Sequence, residues 1–200
     1  MLRNDGGATS RDADEQRLID RCLSGDAEAF RPLVNRYQRV TFSVALRMLG
    51  SRADAEDVTQ QAFVDAFNAL EGFHGDGRAR AFSTWLLRIA VNRSKDVLKS
   101  KRRTEEPLED EVPGMEAAFA YDPSNPEANA SSGERRHHLE TALLQVAPKY
   151  REVLILKDVE ELSYEEIQDV LQLPLTTLKI RVVRARAMLR DLIEREGVTS

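Results

Sequence analysis

Between Leu175 and Arg190 the stretch LTTLKIRVVRARAMLR sets Lys179, Arg181, Arg184, Arg186 and Arg190 among apolar residues. On a helix Leu178, Val182, Ala185, Leu189 and Leu192 share one face, and Thr176, Lys179, Ile180, Val183 and Arg184 lie largely on another. Cationic side chains neutralise phosphates and read base edges, and Ile180 and Val183 between them suit thymine methyl groups. The preceding helix is acidic, with Glu165, Glu166 and Asp169, and opens on a capping box in which Ser163 and Glu166 satisfy each other's backbone donors. Pro174 fits the first turn of the next helix, where its missing N–H is an orphan position. Two short helices, a tight turn and a basic second helix have the layout of a helix-turn-helix: the second helix enters a groove lined by phosphates and the first stays outside. The competing reading is an ordinary helical hairpin with a solvated basic face, which leaves Ile180 and Val183 without a purpose.

A second constellation spans residues 73–103, FHGDGRARAFSTWLLRIAVNRSKDVLKSKRR. A glycine-containing loop and the aromatics Phe73, Phe82 and Trp85 precede a basic helix. Arg88, Asn92, Arg93, Lys95 and Lys99 are placed to meet phosphates, and a loop with planar side chains can receive an unstacked base. Core packing is the alternative for Phe82 and the preferred reading for Trp85, which opens a helix beside Leu86 and Ile89. Other chemistry finds no support. His137 and His138 are adjacent, point apart on a helix and cannot ligate a metal together as an i, i+4 pair would. The acidic pairs sit on strongly charged helical surfaces. There is neither a phosphate-cradling glycine loop nor a nucleophile with its base, so no catalytic residue, metal site or cofactor is expected. Cys22 is the only cysteine, which excludes an internal disulfide and suits a small buried residue.

These groups are carried by a chain of 200 residues with 29 basic and 34 acidic side chains. Thr104–Glu134 contains nine of the acidic residues and neither Lys nor Arg; setting these nine aside leaves 25 acidic against 29 basic. From Leu86 to Arg103 seven basic residues face Asp96 alone. The net charge of −5 therefore describes an acidic connector between two basic surfaces. Helical periodicity dominates both ends. Leu18, Ile19, Cys22 and Leu23 form one stripe, Phe30, Leu33, Val34 and Tyr37 continue it, and Val40–Leu49 ends at Gly50. Asp54 opens a helix with Val58, Ala62, Phe63, Ala66, Phe67 and Leu70 in register. Sustained period-two alternation is missing, so no sheet is expected. The expected fold is all-α: a disordered tail over 1–13, a helical domain over 14–103, a flexible, acidic, proline-containing linker over 104–134, and a second helical domain over 135–196 containing the helix-turn-helix. The N-terminus lacks the apolar run of a signal peptide, and no segment approaches the ~18 apolar residues of a membrane span. A soluble cytoplasmic protein without membrane insertion is expected.

Two blocks together resemble a known family. DAEDVTQQAFVDAFNAL followed by AFSTWLLRIAVNRSKD, and PKYREVLILKDVEELSYEEIQDVLQLPLTTLKIRVVRARAML, resemble in order and spacing the extracytoplasmic-function sigma factors of bacterial RNA polymerase. The resemblance implies a subunit that binds core RNA polymerase and directs it to promoter DNA through −35 and −10 elements. It implies polymerase docking through Asp54, Glu56, Asp57, Gln60 and Gln61. For the −10 element it implies the loop residues His74, Asp76, Arg78, Arg80, Phe82, Ser83 and Thr84, with Arg88, Asn92, Arg93 and Lys95 beside the melting point. For the −35 element it implies Thr176, Thr177, Lys179, Ile180, Val183 and Arg184, with Arg181 and Arg186 as supporting cations. An anti-sigma factor is a further implied partner. The chain departs from the family pattern at Gln61, where Glu is usual, at Thr176 for Gly, at Ile180 for Ser, and in a longer stretch between Phe73 and Ala81.

The alternative is a freestanding helix-turn-helix regulator. It would leave the acidic 54–61 face and the basic-aromatic first domain unexplained, and such regulators usually dimerise over two half-sites.

Overall fold

The computed structural model describes residues 6–73, 81–104 and 138–195, with side chains over 13–73, 81–103 and 138–195. The described residues are helical throughout, with no strand among them. Helix α1 is Gly6–Leu23, followed by a 3₁₀ turn Ala27–Phe30, α2 (Arg31–Leu49), α3 (Arg52–Asn68), a 3₁₀ turn Leu70–Gly72 and α4 (Ala81–Thr104). Helix α5 follows over 138–145, then α6 (Pro148–Leu154) running into a π turn Ile155–Val159, α7 (Tyr164–Leu171) and α8 (Leu175–Arg195). Helix α1 reaches back into residues 6–13, assigned above to a disordered tail. Of these eight residues Ala8, Arg11 and Ala13 are good helix formers and Gly6, Gly7, Thr9, Ser10 and Asp12 are not, so the turns here continue the helix beyond them rather than follow from their own propensity. The 104–134 linker, apart from Thr104 at the end of α4, lies outside the described residues, as does His137.

The local signals explain where helices begin and end. Gly50 closes α2 in the left-handed region at φ 70°, with its N–H on the Leu46 carbonyl. Ser51 caps α3 by accepting the Asp54 N–H, and Pro32 occupies the first turn of α2. The Ser163–Glu166 capping box forms as the spacing requires, with both bonds present.

In the first half, Ile19, Phe30, Leu33, Phe63, Phe82 and Leu86 form a core between α1, α2, α3 and α4. Phe82 stands at its aromatic centre, with ring centroids 5.6 Å from both Tyr37 and Phe73 and 5.7 Å from Trp85. In the second half, Leu154, Ile167, Val170, Leu178 and Val182 hold α6, α7 and α8 together. The second core does not stop at the boundary: Val44 and Met48 of α2 and Leu87 and Val91 of α4 belong to it. Helix α4 packs on α7, and α2 packs on α6 and its π turn. The two helical units are thus seated on each other.

This seam is built closely. The Leu144 side chain of α5 lies against Gly50, where a Cβ would stand 2.7 Å from its Cδ1 and Leu144 would have to turn aside, and the positive φ of Gly50 itself favours glycine. Arg151 is buried and donates to the carbonyls of Met48, Val146 and Leu144, the first of these across the seam. Burial, and to a lesser degree the charge of Arg102, pulls its guanidinium down to about 10, which leaves it protonated at neutral pH. Ser43 donates to Glu160 Oε1 at 3.1 Å, again between halves.

The turn between α7 and α8 carries a strained residue. Gln172 adopts φ 54° and ψ 45°, a left-handed conformation that a side chain disfavours by about 1–2 kcal/mol. Its amide donates to the Asp169 carbonyl at 2.9 Å on the exposed surface, a weak compensation. Gln172→Gly removes the strain and adds unfolded-state entropy of about 0.5–1 kcal/mol. The expected net is a stabilisation of about 0.5–1 kcal/mol, seen as a raised midpoint in denaturant unfolding; an unchanged or lowered midpoint would mean the Gln172 side chain holds the turn.

Candidate nucleic-acid and polymerase interfaces

Three surfaces collect the residues singled out in the sequence. The first is α3. Its buried face is Ala55, Val58, Thr59, Ala62, Phe63 and Ala66, which by helical geometry turns Glu56, Asp57, Gln60 and Gln61 outward; all four are exposed. Asp54 is half-buried and accepts from Lys101 Nζ at 2.5 Å. Burial acts to raise its carboxyl, but the bonds from Lys101 and Ser51 outweigh it and hold the group below the usual carboxylate range. Arg52 pairs with Glu56 at 2.8 Å and lies over the Phe42 ring. Two apolar residues extend this face: Val64, which the sequence reading missed, is 49% exposed, and Phe67, which it placed on the buried stripe, is 40% exposed. Val64 lies four residues beyond Gln60, so for it the helical period was the available signal; Phe67 lies between the two stripes, where the period does not decide. A shallow cavity of about 360 Å³ adjoins the face, lined by Gln38, Arg39, Phe42, Glu56, Thr59 and Gln60.

The second surface is α4. His74, Asp76, Arg78 and Arg80 lie outside the described residues. Phe82, Ser83 and Thr84 are buried at the start of α4, with Phe82 in the aromatic core. Arg88 and Asn92 face solvent. Arg93 is turned sideways: its Nη2 donates to Asp65 Oδ1 at 2.7 Å and its Nε to Oδ2. The Arg93 bonds hold the Asp65 carboxyl below its usual range, and Asp65 in turn raises the guanidinium. Lys95 points into the seam, 2.7 Å from Glu152 Oε2. The structure therefore brings Arg88 and Asn92 to one open face and separates Arg93 and Lys95 from it.

The third surface is α8. Leu178, Val182 and Ala185 are buried against α6 and α7. Ile180 is 53% exposed and Val183 69%, and Thr176, Lys179, Arg184 and Arg186 surround them on the outside; Thr177 is half-buried. Lys179 Nζ lies 5.9 Å from the Tyr164 ring centroid, with Lys157 Nζ on the same ring at 5.0 Å. Arg184 bonds the Tyr150 hydroxyl and lowers its pKa, helped by Lys149. Arg186 clasps Asp158 with bonds of 2.9 and 2.5 Å, tying α8 to the π turn. Arg181 is half-buried and donates to Glu152 Oε1 at 3.1 Å. Arg181 and Arg186 thus brace the helix, while Lys179, Ile180, Val183 and Arg184 form its outward face.

A basic helix with an apolar, exposed centre, set on a tight turn after an acidic helix, is suited to entering a major groove. The described residues hold no group of His, Cys, Asp or Glu side chains placed to bind a metal ion, and none of their helices is long and apolar enough to cross a membrane.

Comparison with known proteins agrees with this geometry. Residues 33–104 match the Sigma-70 region 2 family and residues 136–189 match Sigma-70 region 4. The chain is 35% identical over 180 residues to the ECF RNA polymerase sigma factor SigW of Bacillus subtilis, covering 88% of this chain and 94% of that protein. It is 35% identical over 186 residues to the ECF RNA polymerase sigma-E factor of Escherichia coli, covering 90% and 94%. Among solved structures it resembles CnrH in complex with the cytosolic domain of CnrY, with a TM-score of 0.64 and 27% identity over 91% of this chain and 98% of that one. With both conserved regions matched in order and relatives matched along nearly their whole length, the chain belongs to the ECF sigma factors, the subunits through which RNA polymerase recognises promoters.

Proposed function

We propose a division of labour among the three surfaces. Residues 14–103 bind polymerase and open the −10 element, residues 135–196 read the −35 element, and 104–134 tether them. The protein itself performs no catalysis and works in the cytoplasm, where its polymerase is. The exposed, cation-flanked pair Ile180 and Val183 is the observation that carries this reading, because leaving two branched apolar residues in water has no benefit to a solvated hairpin. Lys179 and Arg184 flank that pair and read base edges; Thr176 and Thr177 open the helix towards the phosphates. Arg88 and Asn92 meet the backbone next to the melted −10 bases, joined by Arg93 and Lys95 once the polymerase complex forms.

Docking uses the outward face of α3, with Asp57, Gln60 and Gln61 as its polar part and Val64 and Phe67 as its apolar part. CnrH, which this chain resembles, has been solved with the cytosolic domain of CnrY; a protein partner, an anti-sigma factor, is proposed for this chain as well.

Two outcomes test the assignment. Asp57→Lys sets a cation where a carboxylate meets a basic partner, and core-polymerase affinity should fall by several kcal/mol, the scale of like-charge juxtaposition in an interface. A titration against core polymerase checks it, and an unchanged affinity removes Asp57 from the interface. In transcription from a library of randomised −35 sequences, Lys179→Ala should cost about 1–3 kcal/mol at particular base pairs, whereas Arg190→Ala should act equally on every sequence or not at all. If Lys179→Ala leaves the preferred sequence and its margin unchanged, Lys179 meets phosphate rather than bases.

A further inference from the structure

Glu152 lies on neither DNA-facing surface, yet it holds one cation from each. It projects from α6 with 2% exposure, receives Arg181 of α8 on Oε1 at 3.1 Å, and has Lys95 of α4 at 2.7 Å from Oε2. Burial pushes its carboxyl up, and Lys95 and then Arg181 act against that rise. Around it opens a cavity of about 610 Å³ between the two halves of the chain. Its charged lining is Lys95, Lys99 and Arg102 from α4 and Lys149 and Arg181 from the second half, with Glu152 as the single carboxylate. Five cations drawn from two bodies repel one another unless an anion sits between them. In this arrangement the anion between the halves is Glu152, and Lys99 also pairs with Asp96 of its own helix at 3.5 Å.

We propose that Glu152 acts as an internal substitute for DNA phosphate: it latches the two halves together in the free protein and withholds Lys95 and Arg181 from DNA. The apolar part of the seam and the Arg151 bond to Met48 favour the same closed arrangement, but they are indifferent to an outside polyanion. The Glu152 pairs are not, because a phosphate supplies the same charge to the same two cations. Opening therefore becomes coupled to DNA: α4, in leaving Glu152, frees Lys95 for a phosphate, while Arg181 stays on the same half as Glu152 and is freed only when a phosphate or a substitution takes the carboxylate's place. The second part of this inference rests on the reading of Lys95 and Arg181 as DNA-facing residues in the open chain; the latch itself rests on the seam alone.

The test uses the full-length chain carrying Cys22→Ser, with dyes on Ala53→Cys and Arg195→Cys, both exposed and on opposite halves. Energy transfer reports opening, and circular dichroism reports folding. Glu152→Gln and, independently, the half-exposed Lys95→Gln should each lower transfer while helicity stays at the parent level. Unlabelled Glu152→Gln should also bind random duplex DNA more tightly at low salt than Glu165→Gln, which removes the same charge from an exposed position on α7. Its plot of log affinity against log salt should steepen by up to about 1.8, the increment for two regained phosphate contacts. Parent-level transfer in both folded variants overturns the latch, and if Glu152→Gln loses helicity, Lys95→Gln alone decides. Lowered transfer without a gain in affinity or slope sustains the latch and instead contradicts the assignment of Lys95 and Arg181 to DNA.

Discussion

A carboxylate withdrawn from water must be compensated by charge, and Glu152 is compensated by side chains that come from opposite ends of the chain. Lys95 and Arg181 lie on the two helices proposed above to contact promoter DNA, so this one site joins both halves. The apolar seam around it has the same origin. Val44, Met48, Leu87 and Val91 of the first half are fully buried in a core that they share with the second half. Arg151 adds a guanidinium held by backbone carbonyls rather than by a carboxylate, a bond that depends on the end of α2 being in place. The geometry of each half is therefore partly set by the other.

Within that frame the functional faces are those left over after packing. Helix α3 turns Ala55, Ala62, Ala66 and Phe63 inward and Glu56, Asp57, Gln60, Gln61, Val64 and Phe67 outward. Helix α8 buries Leu178, Val182 and Ala185 and offers Ile180 and Val183 to the solvent. Arg186 and Arg181 brace α8 against Asp158 and Glu152, which fixes the helix without using its outer face. A recognition helix must hold its contacts in register, and ion pairs at its flank serve that end.

The sequence was informative wherever local rules decide structure. The Ser163–Glu166 capping box, Gly50 at the end of α2 and the apolar stripes of α3 and α8 were all legible, because caps and periodicity act within a few residues. Three things were not. Periodicity placed Phe67 on the core stripe, and the α3 packing leaves it at the edge of that stripe and open to solvent. The acid–base pairs Arg93–Asp65 and Lys95–Glu152 join residues far apart in sequence, and no spacing rule anticipates them. Nor does composition reveal that two basic helical units, like-charged at their boundary, pack directly: that depends on the shared apolar core, on Arg151 and on the buried Glu152 between their cations. The sequence predicts two helical domains joined by an acidic linker, but it carries no sign that one core continues from α2 and α4 into α6, α7 and α8.

The central claim is that this chain directs RNA polymerase to promoters by reading two separate DNA elements with two helical units. Its most direct measurement is transcription by reconstituted core polymerase with and without the chain on a library of randomised upstream sequences, followed by sequencing of transcript 5′ ends. The account expects starts that depend on the added chain and lie downstream of two sequence elements at a fixed separation. Starts that appear equally without the chain, or that depend on one element alone, would contradict it.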